Sequence, residues 1–319
     1  MGSIYLHQRK DFLDLINLIA EERGIEPFLV EKDYWIMHVL YGLQKQGFDF
    51  ELKGGTSLSK GYGIISRFSE DIDIVINPPA TMPIKLWTGR NHTKETHVQS
   101  RLDYYQWLTE NIRVEGIIGI QRDIEFDAPP KYFGGGIRLF YESLTAKVEG
   151  AKEGILLEVG FDDVSPNQPI SISSWTYDKA LEASVKIADN RAIDIKCYNP
   201  EYTFVEKLQA IIRKFAQEQE SKVINQNFLR QYYDVYELLG NQDVVNFIGT
   251  NEYEAHKLRR FNSKELEKPL SENAAFDFSH DALLQLFKGR FLQTRALYYN
   301  GQPTFEEIIA RIQSHLHRM

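Results

Sequence analysis

The sequence of 319 residues contains one cysteine, Cys197, and lacks any long uninterrupted apolar segment. A single cysteine excludes an intramolecular disulfide framework and a cysteine-based zinc cluster. No apolar run approaches the roughly 18 residues that a membrane-spanning helix needs. The first residues show neither a secretory hydrophobic region nor the Ser or Thr at position 6 that myristoylation requires. These absences predict a cytoplasmic protein that does not enter the membrane.

Several widespread catalytic motifs are also missing. The sequence has no G-x-x-x-x-G-K-[ST] phosphate loop, no G-x-S-x-G nucleophile motif and no H-E-x-x-H zinc motif. Their absence excludes P-loop enzymes, hydrolases of the nucleophile-elbow type and zinc proteases. Gly61-Tyr62-Gly63 lacks the third glycine of a dinucleotide-binding fingerprint.

A positive net charge is absent as well. The formal net charge is −8, which argues against indiscriminate binding of nucleic acid. From Pro200 onward there are 15 Lys/Arg and 16 Asp/Glu, which leaves 22 against 29, net −7, for the first 199 residues. An acidic first half followed by a near-neutral second half is compatible with an RNA substrate, and also with a cationic small-molecule acceptor.

The segment Phe50–Ile76 holds most of the candidate functional residues. Gly54-Gly55 end an apolar run and predict a tight turn. Because glycine has no Cβ, such a turn lets the backbone approach a bulky anion. Thr56 and Ser57 follow at a predicted helix N-terminus, where hydroxyl and N–H groups favour a phosphate.

Two carboxylates come next, on a predicted strand. Asp71 and Asp73 lie two residues apart and therefore point to one face of the strand, while the isoleucines between and after them point into the core. Adjacent carboxylates repel unless a cation lies between them, and hard divalent ions such as Mg²⁺ prefer oxygen ligands. Taken alone, a Gly-Gly pair is more typical of a plain turn, and an Asp-x-Asp segment is more typical of a solvated strand. Together they form the arrangement expected for nucleotidyl transfer.

The order GG[ST], spacer, DxD resembles the nucleotidyltransferase (polymerase β-like) superfamily. More narrowly, KGGTSLSKGYGIISRFSEDIDI closely resembles the signature of the AbiEii toxin family of nucleotidyltransferases, in which a GGT-x-L-x-K turn precedes RFSEDIDL. The resemblance implies transfer of a nucleoside monophosphate from an NTP with Mg²⁺, or Mn²⁺, as cofactor. It assigns the nucleotide to Gly54, Gly55, Thr56, Ser57, Lys60, Arg67 and Ser69, and the metal to Asp71 and Asp73.

A third carboxylate is predicted in the apolar segment ILLEVGF. A lone buried carboxylate is costly without a partner or a metal, and Glu158 is the one acid in this strand. The superfamily commonly places a third carboxylate, often Asp, on a strand next to the DxD pair. Glu158 is therefore the candidate third catalytic and metal-binding acid, whereas Asp162 and Asp163 are expected in a loop.

Two residues of the predicted helical second half are further candidates. Lys207 lies at the border of an apolar helix stripe, where it is either a snorkelling lysine or a contact of the triphosphate. The K-L-x-A helix of AbiEii-like proteins, KLQA here, favours the triphosphate. Asp234 either pairs with Arg230 at i−4 or, as the family's R-x-x-x-D-x-Y/L helix implies, lies in the active site. There it would accept a proton from the attacking hydroxyl or orient Lys207.

The hydrophobic periodicity predicts an α/β (α+β) fold. We expect a nucleotidyltransferase core with a mixed β-sheet and flanking helices over residues 1–199. A helical domain, residues 200–319, would follow and complete the active-site cleft. A capping box of Thr203 and Glu206 predicts the start of its first helix. The expected helices are His7–Glu22, Pro27 to about Leu43, Thr96–Ile112 and Phe305–His317, and the expected later strands are Arg113–Phe126, Gly136–Leu144, Ile155–Phe161 and Ala192–Tyr198.

Four other features have two interpretations each. Lys32 and Asp33 form an exposed ion-paired helix edge, or Lys32 faces the nucleotide. Residues 80–98 form a solvated loop or a mobile flap over the substrate. Gly134-Gly135-Gly136 predict a hairpin turn rather than a second phosphate loop. The basic cluster around His256–Arg260 is a solvated helix face or an RNA contact.

The sequence therefore predicts a nucleotidyltransferase. By resemblance it would be the toxin of a toxin–antitoxin or phage-defence (abortive infection) system, with a separate antitoxin protein. Some relatives act on the acceptor end of tRNA, which makes tRNA the leading acceptor. Two alternatives stay open, namely a small-molecule nucleotidyltransferase of the antibiotic-modifying kind and a nucleotide-binding module without catalysis.

Overall fold

The computed structural model describes residues 3–146 and 152–319. The chain divides into two compact units. Unit 1 consists of Met1–Gly61 and Ser69–Tyr198, and unit 2 consists of Tyr62–Phe68 and Asn199–Met319. Residues 62–68 thus belong to the second unit, although in sequence they lie between the Gly-Gly turn and the DxD strand. Among the described residues, no helix is long and apolar enough to cross a membrane.

Unit 1 is built on a sheet of seven strands. They are β1 (Phe50–Lys53), β2 (Asp71–Ile76), β3 (Ile117–Asp123), β4 (Gly134–Tyr141), β5 (Ile155–Gly160), β6 (Asn167–Ile172) and β7 (Ala192–Tyr198). Their order in the sheet is β3-β4-β5-β2-β1-β7-β6. Strand β2 runs antiparallel to β1 and parallel to β5. The predicted α/β fold with a mixed sheet is confirmed, and the DxD strand lies at the centre of this sheet.

The described part of unit 1 contains five α-helices. They are α1 (Phe12–Arg23), α2 (Pro27–Lys45), α3 (Gly54–Thr56), α4 (Glu95–Asn111) and α5 (Trp175–Glu182). Helix α1 ends at Gly24, whose φ of +64° is the left-handed C-cap conformation. Helix α2 begins with Pro27 at its first position, where a missing N–H costs nothing. Every side chain of α2 from Phe28 to Leu40 is buried, so α2 is a central helix rather than a surface one.

The prediction of a hairpin turn at Gly134-Gly135-Gly136 is wrong. All three glycines belong to β4 and pair with Gly160, Val159 and Glu158 of β5. A Cβ on Gly135 would lie 2.6 Å from the Tyr105 ring, and one on Gly136 would lie 2.4 Å from the Asp123 carbonyl oxygen. These glycines therefore permit close packing inside the sheet, a role that sequence alone does not distinguish from a turn.

Other boundaries in unit 1 differ from the predictions. The helix after the Gly-Gly pair is short, because α3 is followed by one π-helical turn that ends at Gly61. Strand β3 begins at Ile117 rather than at Arg113. Strand β6 and helix α5 were not predicted. Strand β6 lies at the sheet edge and contains Pro169, which hides a strand from sequence patterns because proline is unfavourable there.

Unit 2 is helical. Its helices are α6 (Pro200–Ser221), α7 (Arg230–Leu238), α8 (Gln242–Phe247), α9 (Asn251–Arg260), α10 (Asp281–Leu292) and α11 (Phe305–His315). Aromatic rings from several segments meet in its core, where Tyr232 packs edge-on against Phe287 and Phe305. Backbone hydrogen bonds join the Tyr62–Phe68 segment to the rest of unit 2. In one of them, Phe68 N–H donates to the Leu297 carbonyl oxygen at 2.7 Å.

The predicted capping box of Thr203 and Glu206 does not start α6. The helix begins three residues earlier, with Pro200 at its first position, and the Thr203 hydroxyl donates to the Asn199 carbonyl oxygen at 3.1 Å from inside the helix. The fixed φ of proline suits a helix start without a side-chain cap. A capping box is present instead at Thr304 and Glu307, where it starts α11. The final amphipathic helix is confirmed.

Candidate active site

The three predicted carboxylates lie on two neighbouring strands. Asp73 is the register partner of Glu158 in the parallel pair of β2 and β5, and partners in register point to the same side of a sheet. Asp71 lies two residues before Asp73 and shares that face. All three side chains are half-buried, whereas Ile72 and Ile74 are fully buried on the opposite face. The structure therefore brings Asp71, Asp73 and Glu158 to one surface of unit 1.

The donor set fits a divalent ion that is shared with a substrate. No group of three or more His, Cys, Asp or Glu side chains in the described part of the chain is arranged to hold a metal ion by itself. Mg²⁺, however, is usually bound by one or two carboxylates together with water and substrate phosphates. Asp71 and Asp73 match that requirement. Glu158 as a third ligand stays a prediction.

The Gly-Gly turn packs directly against one of these acids. Gly54 has a φ of +67°, and a Cβ at this position would lie 2.0 Å from Asp73 Oδ2. The Thr56 hydroxyl donates to the backbone oxygen of Asp71 at 2.6 Å. Backbone and side chain thus join the turn to β2 at both aspartates. Only glycine satisfies the left-handed conformation and the close approach at position 54 together.

The hydroxyl groups predicted to bind phosphate are buried within the fold. Thr56 and Ser57 are fully buried, and Thr56 is committed to the backbone of β2. The backbone N–H of Ser57 donates to the Gly54 carbonyl oxygen, so phosphate binding by Thr56 and Ser57 stays a prediction. Gly55 is buried as well, and Ser69 is half-buried.

Three consecutive charged residues of α2 organise the surroundings of this site. Glu31, Lys32 and Asp33 are completely buried, so the interpretation of Lys32 and Asp33 as an exposed helix edge is wrong. Asp33 accepts from the backbone N–H of Trp175 at 2.8 Å and from Lys60 Nζ at 2.6 Å. Burial raises the pKa of Asp33, and the charge of Lys60 opposes that rise. Lys60, a predicted phosphate contact, is therefore held in place by α2.

The other two charges of α2 anchor loop backbone. The Glu31 carboxylate accepts from the N–H groups of Leu144 and Thr145 and from the hydroxyls of Ser143 and Thr145, at 2.7 to 3.3 Å. Lys32 Nζ donates to the backbone oxygen of Lys152 at 2.9 Å and lies 3.5 Å from a Glu70 oxygen. Burial lowers the pKa of Lys32, whereas the charges of Glu70 and Asp71 raise it. Lys32 thus acts on the site through the backbone that it holds.

Unit 2 contains a buried ion triad of Arg67, Asp234 and Lys207. Arg67 binds both Asp234 oxygens through Nε and Nη2, at 2.6 and 2.7 Å. Lys207 Nζ lies 2.8 Å from Asp234 Oδ2. Asp234 has no exposed side-chain surface, and Lys207 keeps 10%. Burial by itself would raise the pKa of Asp234, but Arg67 and Lys207 outweigh it and lower that pKa to about 2.

This geometry favours one of the two roles proposed for Asp234. A carboxylate with a pKa of about 2 and both oxygens bonded to cations is a poor proton acceptor near neutral pH. The contacts of Asp234 support the hypothesis that it orients Lys207. Asp234 is bonded to Arg67 and is therefore more than a surface partner of Arg230. Burial lowers the pKa of Arg67, but the charge of Asp234 reverses the effect and raises it.

Sequence reasoning missed Glu31 and Lys152. Glu31 was detectable, because three successive charges inside an apolar helix require buried partners. Lys152 carried no sequence signal. Its ammonium lies 3.0 Å from Asp71 Oδ2, a contact between residues far apart in the chain.

Comparisons with known proteins identify the family of the chain. The family model described as "Nucleotidyl transferase AbiEii toxin, Type IV TA system" matches residues 38–311. The crystal structure of an antigenic nucleotidyltransferase-like protein from Paracoccidioides brasiliensis is 12% identical and aligns over 72% of this chain and 87% of that chain, with a TM-score of 0.34. A TM-score this low supports no inference. No curated protein matches the chain. Because the family model spans most of the sequence, the chain belongs to the AbiEii family of nucleotidyltransferase toxins.

Proposed function

We propose that this nucleotidyltransferase transfers a nucleoside monophosphate from an NTP to the 3′ end of tRNA in a Mg²⁺-dependent reaction. In cells it would act as the toxin of a toxin–antitoxin pair, with a separate antitoxin as its counterpart. The observation that carries the proposal is the contact between the Gly54 turn and the Asp73 carboxylate. It joins a candidate phosphate-binding backbone to a pair of candidate metal ligands within unit 1.

In the proposed reaction, the acceptor hydroxyl oxygen attacks the α-phosphorus of the NTP. The bond from that phosphorus to the bridging oxygen breaks, and pyrophosphate leaves. Mg²⁺, when bound, neutralises charge that develops on the phosphate oxygens. Asp71 and Asp73 would hold it. Glu158, the register partner of Asp73, would take the hydroxyl proton.

The nucleotide phosphates would be bound by the α3 backbone and by Lys60. The Lys60 ammonium is positioned by Asp33 at 2.6 Å and keeps 14% of its side chain exposed. Contact of Lys207 and Arg67 with the nucleotide stays a prediction. Arg67 already uses two guanidinium nitrogens on Asp234, so a direct phosphate contact would have to use what remains of its donors.

The tRNA acceptor is supported by the family resemblance rather than by a basic surface. Helix α9 carries the predicted basic cluster, but Lys257 is bonded to the Met319 carbonyl oxygen and Arg260 to Glu206. With side chains that are 15% and 17% exposed, these two cations are already engaged within unit 2, which argues against an RNA-binding role for them. Recognition of an acceptor end would then depend on few phosphate contacts and show a shallow salt dependence.

The test is incubation of the protein with Mg²⁺, each of four α-labelled NTPs and total tRNA. We expect label on tRNA with wild type and none with the double variant Asp71→Ala/Asp73→Ala. The matched control is Asp49→Ala/Asp189→Ala, which removes two aspartates of unit 1 that are 58% and 52% exposed and ion-paired. This control should label tRNA like wild type.

Other outcomes identify the alternatives. Release of pyrophosphate with a cationic small molecule, but no label on tRNA, would support nucleotidyl transfer. It would refute tRNA as the acceptor. NTP binding without pyrophosphate release under any of these conditions would contradict the proposed catalytic activity. The protein would then be interpreted as a nucleotide-binding module. In cells, growth arrest on expression of wild type, but not of the Asp71→Ala/Asp73→Ala variant, would support the toxin role.

A further inference from the structure

A lysine side chain, that of Lys152, lies beside the Asp71 carboxylate. Lys152 Nζ lies 3.0 Å from Asp71 Oδ2 and 3.4 Å from Oδ1. The same ammonium lies 4.3 Å from the centre of the Phe126 ring. Its side chain is 29% exposed and that of Asp71 is 20% exposed. The ion pair is therefore open to solvent on one side, where a ligand has access.

The position of this lysine is determined by buried groups rather than by the surface. Its backbone oxygen accepts from Lys32, whose side chain is 1% exposed. The next backbone oxygen, that of Glu153, accepts from Arg138 at 2.7 Å. Two cationic side chains thus hold the main chain at 152 and 153, while the side chain of Lys152 is left to pair with Asp71.

We propose that Lys152 is a further residue of the nucleotide site, with a different partner in each state of the protein. It neutralises Asp71 when no divalent cation is bound, and it binds the NTP phosphates when the cation takes Asp71. The inference rests on the proposed function of Asp71 and Asp73 as metal ligands. Lys32 is the positioning residue that keeps the main chain of Lys152 in place through both states.

The physical reason lies in the charges on the face of β2. Asp71 and Asp73 repel one another when both are ionised, and the Lys152 ammonium compensates one of them. A lysine is a point charge on a flexible four-carbon stem, so its head can move while its main chain stays bonded. A divalent ion must compete with Lys152 for Asp71, and the nucleotide offers the displaced ammonium a new partner. Metal and nucleotide binding are therefore coupled favourably through Lys152.

The experiment compares Lys152→Met with Lys179→Met. Lys179 also lies in unit 1, is 32% exposed and pairs with a carboxylate, that of Glu22, so it controls for loss of an ordinary ion pair. Two dissociation constants are measured for each protein. One is for Mn²⁺ without nucleotide, from the electron paramagnetic resonance of free Mn²⁺. The other is for a non-hydrolysable NTP analogue at saturating Mn²⁺, by calorimetry.

The two constants should shift in opposite directions in Lys152→Met. We expect Mn²⁺ to bind about fivefold more tightly, the effect of removing a partly exposed ion-pair competitor. The analogue should bind roughly tenfold more weakly, because a charge-assisted contact with phosphate is lost. Lys179→Met should match wild type in both measurements.

Unchanged constants in Lys152→Met, or weaker binding of Mn²⁺, would overturn the inference. The Asp71→Ala/Asp73→Ala variant separates this failure from a failure of the proposed function. If wild type and that variant bind Mn²⁺ equally, the metal assignment itself is wrong. If only wild type binds Mn²⁺ and Lys152→Met does not differ from it, the metal assignment stands and the role of Lys152 is refuted.

Discussion

At the scale of single residues, Gly54 is subject to two constraints at once. Gly54 has a positive φ, and a Cβ at this position would lie 2.0 Å from Asp73 Oδ2. A substitution would therefore have two separate costs. The first is a strain in the backbone. The second falls on the carboxylate, which would have to move away from the turn. A substitution at this position should therefore impair function more than it impairs stability.

We expect Gly54→Ala to abolish nucleotidyl transfer while lowering the free energy of unfolding by about 1–2 kcal/mol, the cost of a left-handed alanine. Gly24→Ala is the matched control, since Gly24 has a φ of +64° and no atom within 4 Å of a hypothetical Cβ. It should lose similar stability and keep activity. Urea titration and the tRNA-labelling assay measure the two effects. Full activity of Gly54→Ala would contradict the close approach to Asp73.

Asp234 is the residue on which the polar core of unit 2 depends. Its carboxylate compensates two cations, Arg67 and Lys207, without exposure to solvent. A pKa of about 2 in the folded state, against 3.8 for the free group, means that ionised Asp234 stabilises the fold. That contribution, on the order of 2 kcal/mol, is complete above pH 3.8 and is lost as the pH falls through 2.

Asp234→Asn should lower the free energy of unfolding by about 3–5 kcal/mol, because it leaves two cations without their buried counter-charge. Glu254→Gln, which removes a carboxylate that is 51% exposed and pairs with Lys257, should change it by less than about 0.5 kcal/mol. Urea titrations at pH 7 measure both. If the two variants were equally stable, the triad would contribute nothing beyond an ordinary surface ion pair.

At the scale of elements, α2 combines structural and functional roles. Its buried charges hold the loop backbone at 143–145 and at 152, and the first residue of α5, Trp175. Further along the helix, His38 donates from Nε2 to the Glu115 carbonyl oxygen at 3.0 Å and accepts at Nδ1 from the Asn190 side-chain amide at 2.8 Å. Burial, assisted by the charge of His7, lowers the pKa of His38 from 6.5 to about 3. The helix therefore contains a histidine that stays neutral throughout the physiological pH range.

This histidine makes stability sensitive to moderate acid. The unfolded chain takes up a proton at His38 below pH 6.5, whereas the folded protein does so only near pH 3. Stability is thus greatest above 6.5 and falls as the pH decreases, by about 2 kcal/mol at pH 5. His38→Gln, which retains a donor and an acceptor, should reduce this pH dependence. Urea titrations between pH 7.5 and 5 provide the comparison, and identical slopes in both proteins would contradict the burial of His38.

At the scale of the whole molecule, the two units are interleaved in the sequence. Unit 2 takes Tyr62–Phe68 from the first half of the chain. This segment supplies Arg67 to Asp234, and the Tyr233 hydroxyl accepts from the N–H of Ser66 at 3.0 Å. A cut at the predicted domain boundary therefore removes a buried counter-charge from the helical unit.

Residues 199–319 expressed alone should be less stable than the same helices in the full chain. A chimera that joins residues 62–68 to Asn199 by a flexible linker should regain the lost stability, since it restores the partner of Asp234. Its Arg67→Met version is the control and should not regain it. Circular dichroism during urea denaturation measures all three. A cooperative, equally stable 199–319 fragment would show that the segment is dispensable.

The sequence by itself determined the central strand, the Gly-Gly turn and the fold class. Alternation of period two places Asp71 and Asp73 on one face, and glycines at 54 and 55 mark the turn, because such patterns depend only on neighbours in the chain. Only the tertiary structure decided the partners of the charges. Arg67 and Asp234 are 167 residues apart, and Lys152 and Asp71 are 81 apart. Such pairs form only when sheet register and helix packing bring distant segments together, and the cost of burying each charge then selects the partner.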